Sequence, residues 1–139
     1  MNDEQDEKTP KPRILIVENQ TAAAMLMVSV LAQAGCAATV ANTGKKGIEL
    51  ASENKFDLVV LAADLPDVRG FNIVRELKQR HLSRRTPIIF VASQSSEEDR
   101  RRSLELGATD YIAKPFSASD FTRRILSHVK LLDEIPLSH

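Results

Sequence analysis

The sequence predicts an α/β fold, a three-layer doubly wound sheet of five parallel strands. Three runs of consecutive apolar residues, at 14–17, 58–62 and 87–91, are typical of strands that are covered on both faces. Segments with helical periodicity separate these runs, so crossover helices join the parallel strands. The first, third and fourth strands are the richest in apolar residues and belong in the centre, which gives the strand order 2-1-3-4-5.

Turn and cap residues divide the chain into alternating strands and helices. The predicted strands are 14–17, 37–41, 58–62, 87–91 and 111–113. The helical segments that follow them end at Gly35, near Asn54, near Arg80, at Gly107 and near Leu132. Glycine after a helix suits the left-handed cap conformation, and the two least apolar strands suit the sheet edges. Ligands of such sheets lie at the carboxyl ends of central strands, so we expect the chemistry around residues 62–67.

The composition argues against several kinds of site and partner. Lysine plus arginine total 19 and aspartate plus glutamate total 19, so the chain has no general attraction to nucleic acid or to an anionic membrane. The arginines at 100–102 fit a helix surface better than a nucleic-acid patch. One cysteine, Cys36, and three scattered histidines assemble neither a disulfide framework nor a zinc site. We therefore expect protein partners, and no nucleic acid, membrane or metal.

The length and the apolar pattern predict a single domain in the cytoplasm. A chain of 139 residues buries enough surface to fold without a disulfide or a structural metal. Its longest apolar stretch, residues 22–32, is well short of the roughly 20 residues that a membrane helix needs. The acidic beginning of the chain does not have the form of a signal peptide.

Two stretches resemble the receiver domains of response regulators. Residues 57–70 are similar to the acceptor strand and loop of that family, and the block at 107–116, GATDYIAKPF, is highly specific for it. The resemblance covers about residues 11–131. It implies the flavodoxin-like, CheY-like receiver fold and a role in two-component or phosphorelay signalling. We accordingly divide the chain into a disordered N-terminal arm (1–11), a receiver-like domain (12–132) and a C-terminal tail (133–139), and we expect a free-standing module.

The same resemblance implies that the family's chemistry has been lost. The phospho-accepting aspartate of the family falls on Ala62, and the hydroxyl residue that ends the fourth strand falls on Ala92. The acidic pair that holds magnesium with the acceptor falls on Glu18 and Asn19, and the metal-binding carbonyl falls on Asp64. Because magnesium usually keeps one or two carboxylates and a phosphate oxygen, we expect weak or no magnesium binding and no other cofactor.

Two further family positions are retained. The switch aromatic is present as Tyr111, and the Lys-Pro pair is present as Lys114 and Pro115, whose peptide bond is usually cis in the family. Lys114 has lost its acceptor carboxylate. A buried charge without its partner costs on the order of 3–5 kcal/mol, so we expect a replacement, with Glu18 first and Asp64 second. Ser93 is expected to point away from the pocket because strand side chains alternate, unless the fourth strand has already ended before it.

The favoured function is that of a pseudo-receiver, a phosphorylation-independent protein-interaction module with no enzymatic activity. Self-association and contact with a protein partner are both open, and docking of a histidine kinase or phosphotransfer protein without phosphotransfer is one form of the latter. One alternative is a working receiver that accepts phosphate on Asp64. Another is a small-ligand site in the vacated acidic pocket. A flavin site is disfavoured because no glycine-rich phosphate loop follows the first strand.

The first helix is the candidate interaction face. No charged residue occurs between Glu18 and Lys45, whereas a solvated helix carries charges on its outer side. The core stripe is predicted to be Ala23, Leu26, Met27, Val30, Leu31 and Ala34. The outer residues are then Met25, Val28, Ser29 and Ala32, next to Arg123, Arg124 and Ser127 of the last helix. We predict association through Met25, Val28, Ala32 and Arg124.

Overall fold

A computed structural model of the chain describes residues 10–93 and 97–134. Its strands are β1 (Arg13–Val17), β2 (Ala37–Ala41), β3 (Leu58–Ala62), β4 (Ile88–Ala92) and β5 (Asp110–Ala113). Its helices are α1 (Thr21–Gln33), α2 (Gly44–Glu53), α3 (Gly70–Gln79), α4 (Glu97–Glu105) and α5 (Ala118–Glu134). The strands form one parallel sheet in the order β2-β1-β3-β4-β5. The predicted fold class and strand order are therefore confirmed.

The sheet is covered on both faces, as its continuous apolar strands require. Alternate side chains of each central strand point to opposite faces. In β1, Leu15 and Val17 pack in the cluster that includes residues of α2 and α3, whereas Ile14 and Ile16 pack in the cluster with α1 and α5. The two clusters make a three-layer core in which β1, β3 and β4 are central.

The register brings the ends of the central strands to one edge. Val17 is level with Leu61, Ala62 with Val91, and Ala92 with Ala113. The residues that follow these ends are Glu18, Ala63, Ser93 and Lys114. Residues far apart in sequence therefore meet at the carboxyl edge of the sheet, the place where such folds bind ligands.

The observed boundaries refine the predicted ones. Gly35 and Gly107 have φ of 87° and 118°, the left-handed conformation predicted for these helix caps. Helix α5 continues to Glu134, two residues into the segment 133–139 that was predicted to be a tail. Most of the predicted arm and tail lies outside the described residues. Within the part of the chain that the structure describes, no helix is both long enough and apolar enough to span a membrane.

The rotation of α1 about its axis differs from the prediction. The buried residues of this helix are Ala24, Met27 and Leu31. Leu26, placed in the core stripe by the sequence analysis, is 57% exposed, and Val28, predicted to face outward, packs against the core. The helix is apolar on all sides, so the spacing of its apolar residues does not identify the side that meets the sheet.

Candidate functional site

An ion pair joins the ends of β1 and β5. Lys114 Nζ lies 3.3 Å from Oε1 of Glu18, the partner that the sequence analysis ranked first. The other carboxylate oxygen, Oε2, accepts a hydrogen bond of 3.1 Å from the Gln20 amide. The Glu18 side chain is only 2% exposed and that of Lys114 is 25% exposed. The carboxylate is thus buried with both oxygens engaged, which is how a buried charge is tolerated.

Two methyl groups stand beside this pair at the ends of β3 and β4. Ala62 is 4% exposed and Ala92 is 5% exposed, so both are covered by neighbouring groups. A methyl group has no lone pair with which to attack a phosphoryl donor. Ala92 lies level with Ala113, directly before Lys114, and its backbone carbonyl accepts a hydrogen bond of 2.8 Å from the Lys114 amide.

Ser93 lines the cleft, the alternative that the prediction left open for a strand that ends before this residue. Its hydroxyl donates a hydrogen bond of 2.9 Å to Oδ2 of Asp64. The alternation of side chains applies only within a strand, and β4 ends at Ala92, so Ser93 is free of that constraint. Asp64 and Ser93 are both exposed and form a carboxylate–hydroxyl pair at the mouth of the site.

Asp67 has a structural role, because its carboxylate connects two separate segments of the chain. Its carboxylate accepts hydrogen bonds from the amides of Gly44 at 2.9 Å and Lys45 at 3.0 Å. These amides belong to the first turn of α2, whose donors lack partners within the helix. The hydrogen bonds from Gly44 and then Lys45 hold the pKa of Asp67 below its usual value. Asp67 therefore fixes the β3–α3 loop to the start of α2.

A cleft of about 900 Å³ is lined in part by Ala92, whereas Ala62 is not among its lining residues. Its walls include the side chains of Phe71, Phe90 and Tyr111, with Asp64 and Arg69 among the charged groups. The ring of Phe90 lies 5.4 Å from that of Phe71 and 6.2 Å from that of Tyr111, centroid to centroid. Burial, and then the negative charges of Asp99 and Asp64, raise the pKa of Tyr111. The retained switch aromatic is thus part of an aromatic wall.

A second charged cluster lies on β5 and α5, and the sequence analysis did not identify it. The Arg124 guanidinium contacts both carboxylate oxygens of Asp110, at 2.6 Å and 3.2 Å. Nε2 of His128 lies 3.2 Å from the same carboxylate. Burial alone raises the pKa of Asp110, but Arg124, the Tyr111 amide and His128 outweigh it and lower the pKa. Arg124, predicted to serve the interaction face, is therefore engaged within the domain.

The side chains at the ends of β1 and β3 offer few oxygen ligands for magnesium. Magnesium takes oxygen ligands, with carboxylates among them, yet Ala62 offers none and both oxygens of Glu18 are engaged. Asn19 contributes at most an amide oxygen. Across residues 10–93 and 97–134, no group of three or more His, Cys, Asp or Glu side chains is placed to hold a metal ion.

The peptide bond between Lys114 and Pro115 is cis. The sequence left this point open and gave only the resemblance as a guide. Of the predicted site residues, Asn19, Asp64, Ala92 and Tyr111 line the cleft. Glu18, Ala62 and Lys114 lie at or directly after the ends of β1, β3 and β5 and are not among its lining residues.

Comparisons with known proteins identify the same domain. A family model described as the response regulator receiver domain matches residues 14–126. The transcriptional regulatory protein CusR of Escherichia coli K12 is 35% identical over 113 residues, which cover 81% of this chain and 49% of CusR. The chain therefore spans about half the length of the curated relatives it matches.

Solved structures agree with these matches. A CheY-like receiver domain protein from Methanospirillum hungatei JF-1 superposes with a TM-score of 0.84 at 26% identity, covering 90% of this chain and 98% of that one. The receiver domain of the sensor histidine kinase PA1611 from Pseudomonas aeruginosa PAO1 superposes with a TM-score of 0.80 at 26% identity, covering 87% and 99%. The latter structure has a magnesium ion coordinated in its active-site cleft.

Proposed function

Because the chain belongs to the response regulator receiver domain family, we propose that it is a pseudo-receiver, which signals through protein contact without accepting a phosphoryl group. Receiver domains are signalling modules of two-component systems that interact with kinases and partner proteins. By this proposal, the chain differs from those receiver domains that accept a phosphoryl group. It applies to the domain described above, whatever surrounds that domain in longer relatives.

The observation that carries the proposal is the pairing of Lys114 with Glu18. In the family this lysine faces the acceptor carboxylate, and here that position is the methyl group of Ala62. The ammonium is instead satisfied by a buried glutamate 3.3 Å away. An internal partner of this kind supports a pocket that is locked in one arrangement and does not await a phosphoryl group. The hydroxyl that would receive that group is also replaced, by Ala92.

Weak or absent magnesium binding belongs to the same proposal. Magnesium in this family is held beside the acceptor, and the corresponding positions here offer one carboxylate whose oxygens are already engaged. A single engaged carboxylate is a poor ligand set for an ion that dehydrates reluctantly. Magnesium is therefore not part of the proposed activity.

The direct test is the intact mass of the protein after incubation with acetyl phosphate and magnesium. The mass is expected to remain that of the untreated chain, because Ala62 supplies no nucleophile. A receiver domain that retains its acceptor aspartate serves as the positive control for the donor. A stoichiometric phosphoryl adduct on this chain would contradict the proposal, and peptide mapping would then locate it.

Asp64 is the residue on which such an adduct would be sought first. It is exposed, it lies two residues beyond the usual acceptor position, and it accepts a hydrogen bond from Ser93. A carboxylate beside a hydroxyl is the specific feature that favours this rival function. The carboxylate of Asp67 is committed to the first turn of α2, so it is a poor second ligand for a metal, which counts against this function.

The cleft favours a second candidate function, the binding of a small ligand. Its volume of about 900 Å³ is within the range of small-molecule sites, roughly 300–1,000 Å³. Phe71, Phe90 and Tyr111 supply apolar surface, and Ser93 and Arg69 supply polar groups. A ligand identified by thermal-shift screening would support this function if a Phe71→Ala variant no longer responded to it.

Partner contact is proposed to use α1 in a self-association. Met25 is 66% exposed and Leu26 is 57% exposed, and residues 19–44 contain no charged side chain. An apolar face without charges is complementary to a copy of itself, because no like charges meet across a two-fold axis. Ala32 remains exposed and part of this face, whereas Val28 and Arg124 are excluded by their contacts within the domain.

A further inference from the structure

The amino edge of the sheet carries a basic depression on the side opposite the cleft. It has a volume of about 400 Å³ and is lined by Lys55, His81, Leu82, Arg84 and Arg85. Lys55 shortly precedes β3, and residues 81–85 precede β4. The segments that precede β3 and β4 are distant in sequence, and together they place one lysine, two arginines and one histidine around this hollow. We term it the basic depression.

The positive charges of the basic depression have no acidic counterpart. No aspartate or glutamate lines it, and none of the ion pairs within residues 10–93 and 97–134 involves its members. Several other arginines of the domain are paired, as Arg80 is with Glu76, and as Arg100 and Arg101 are with Glu97 and Glu105. The whole chain has equal numbers of acidic and basic residues, so the positive charge of the basic depression is a local excess.

The backbone beneath the basic depression is held in one conformation. The buried hydroxyl of Ser83 donates a hydrogen bond of 2.7 Å to the Leu77 carbonyl. The amide of Arg84 donates to the Arg80 carbonyl at 2.9 Å, and the amide of Thr86 donates to the Ser83 carbonyl at 3.0 Å. Because these hydrogen bonds fix the loop, its backbone needs little further ordering when a ligand binds.

The ammonium of Lys55 is also positioned by the protein. It donates to the Leu82 carbonyl at 3.2 Å and to the Thr86 hydroxyl at 3.2 Å. Both acceptors are neutral, so the full positive charge remains for a ligand. An ammonium has three N–H donors, and one of them is left after these two hydrogen bonds. Lys55 is thus a fixed point charge, with the flexible guanidinium groups of Arg84 and Arg85 beside it.

We propose that the basic depression binds a small, multiply charged phosphate compound. The two guanidinium groups and the ammonium offer more donors than the two oxygens of one carboxylate accept. A phosphate group has three terminal oxygens and a higher charge, and guanidinium groups bind it in a bidentate manner. The volume suits a ligand of the size of a diphosphate. This site is independent of the proposed function, because it lies at the opposite edge of the sheet.

The test is isothermal titration calorimetry with pyrophosphate in a buffer of about 0.15 M ionic strength, at which distant exposed charges are largely screened. The full chain is expected to bind pyrophosphate. An Arg84→Gln/Arg85→Gln variant is expected to bind at least about tenfold more weakly, because both guanidinium groups are lost. An Arg100→Gln/Arg101→Gln variant removes the same charge from α4, where the arginines are paired with glutamates. It should bind within about twofold of the parent, because distant exposed charges contribute little.

Three outcomes would overturn the proposal. One is the absence of measurable heat with the full chain. Another is an equal loss of affinity in the two double variants, which would indicate attraction to overall charge only. The third is binding of a DNA duplex, weakened by Arg84→Gln/Arg85→Gln, without binding of pyrophosphate, which would assign the surface to nucleic acid. All these positions are exposed, and an unchanged circular dichroism spectrum establishes that each variant is folded.

Discussion

Lys114 Nζ and Glu18 Oε1 lie 3.3 Å apart, although 96 positions separate these residues in the sequence. The contact joins the residues that directly follow β1 and β5. The Glu18 side chain is 2% exposed, so the ammonium of Lys114 is the counter-ion of a buried carboxylate. The pair therefore has an energetic role that substitution can measure.

Removing the cation of this pair should destabilise the domain. In Lys114→Met, the buried Glu18 carboxylate loses its counter-ion, and the free energy of unfolding should fall by on the order of 2 kcal/mol, since Lys114 is partly exposed. Urea denaturation measures the change. The double variant Glu18→Gln/Lys114→Met removes both charges and should recover part of the loss. A Lys114→Met variant as stable as the parent would show that the pair has no energetic role.

Restoring the missing donors should restore the chemistry. The variant Asn19→Asp/Ala62→Asp supplies a nucleophile and a second carboxylate at the carboxyl edge, and we expect it to gain a phosphoryl adduct with acetyl phosphate. The measurement is the intact mass with and without magnesium. Asn19→Asp alone is the matched control and should remain unmodified. If the double variant folds and stays unmodified, residues beyond these two positions also prevent phosphorylation.

The Asp110 cluster predicts part of the dependence of stability on pH. The pKa of Asp110 is lower in the folded state than in the unfolded state. Its carboxylate therefore contributes fully to the stability of the fold above the unfolded-state pKa of about 3.9, and this contribution is lost as the pH falls through the lower folded-state value. Asp110→Asn should therefore flatten the fall in stability at acid pH, by on the order of 1 kcal/mol for a cluster that is only partly buried. Thermal unfolding between neutral and acid pH measures it. Arg124→Met should have the same effect, and an unaltered profile in both variants would refute the assignment.

Charge on the outer face of α1 should prevent self-association. Met25→Glu/Leu26→Glu places two acids on side chains that are 66% and 57% exposed, so the fold should persist while like charges oppose each other in a dimer. Sedimentation equilibrium measures the dissociation constant, which should rise by at least about tenfold. Asn72→Asp/Gln79→Glu adds the same charge to exposed positions of α3 and should leave association unchanged. A parent chain that is monomeric throughout would remove the basis for this face.

The sequence was sufficient for the features that depend on local pattern. Continuous apolar runs identified β1, β3 and β4 as the central strands, because only strands buried on both faces lack polar residues. Glycine identified the helix caps at Gly35 and Gly107, where φ is positive. The motif positions also identified Ala62 and Ala92, since the identity of a residue at a strand end needs no coordinates once the motif is aligned.

Other features depended on contacts that local pattern does not specify. The rotation of α1 could not be predicted because its apolar residues surround the helix, and only packing on the sheet buries Met27 and exposes Leu26. Ser93 reaches Asp64 because β4 ends one residue earlier, a boundary that apolar periodicity does not fix.

By itself, the sequence determined the fold and the strand order, because both follow from residue type and spacing along the chain. Only the tertiary structure decided which charges meet. It brought Asp67 to the amides of α2 and Arg124 to Asp110, and it gathered Lys55 with Arg84 and Arg85. These contacts join residues on different elements, and the register of the sheet and the paths of its loops, rather than the local sequence, set their distances.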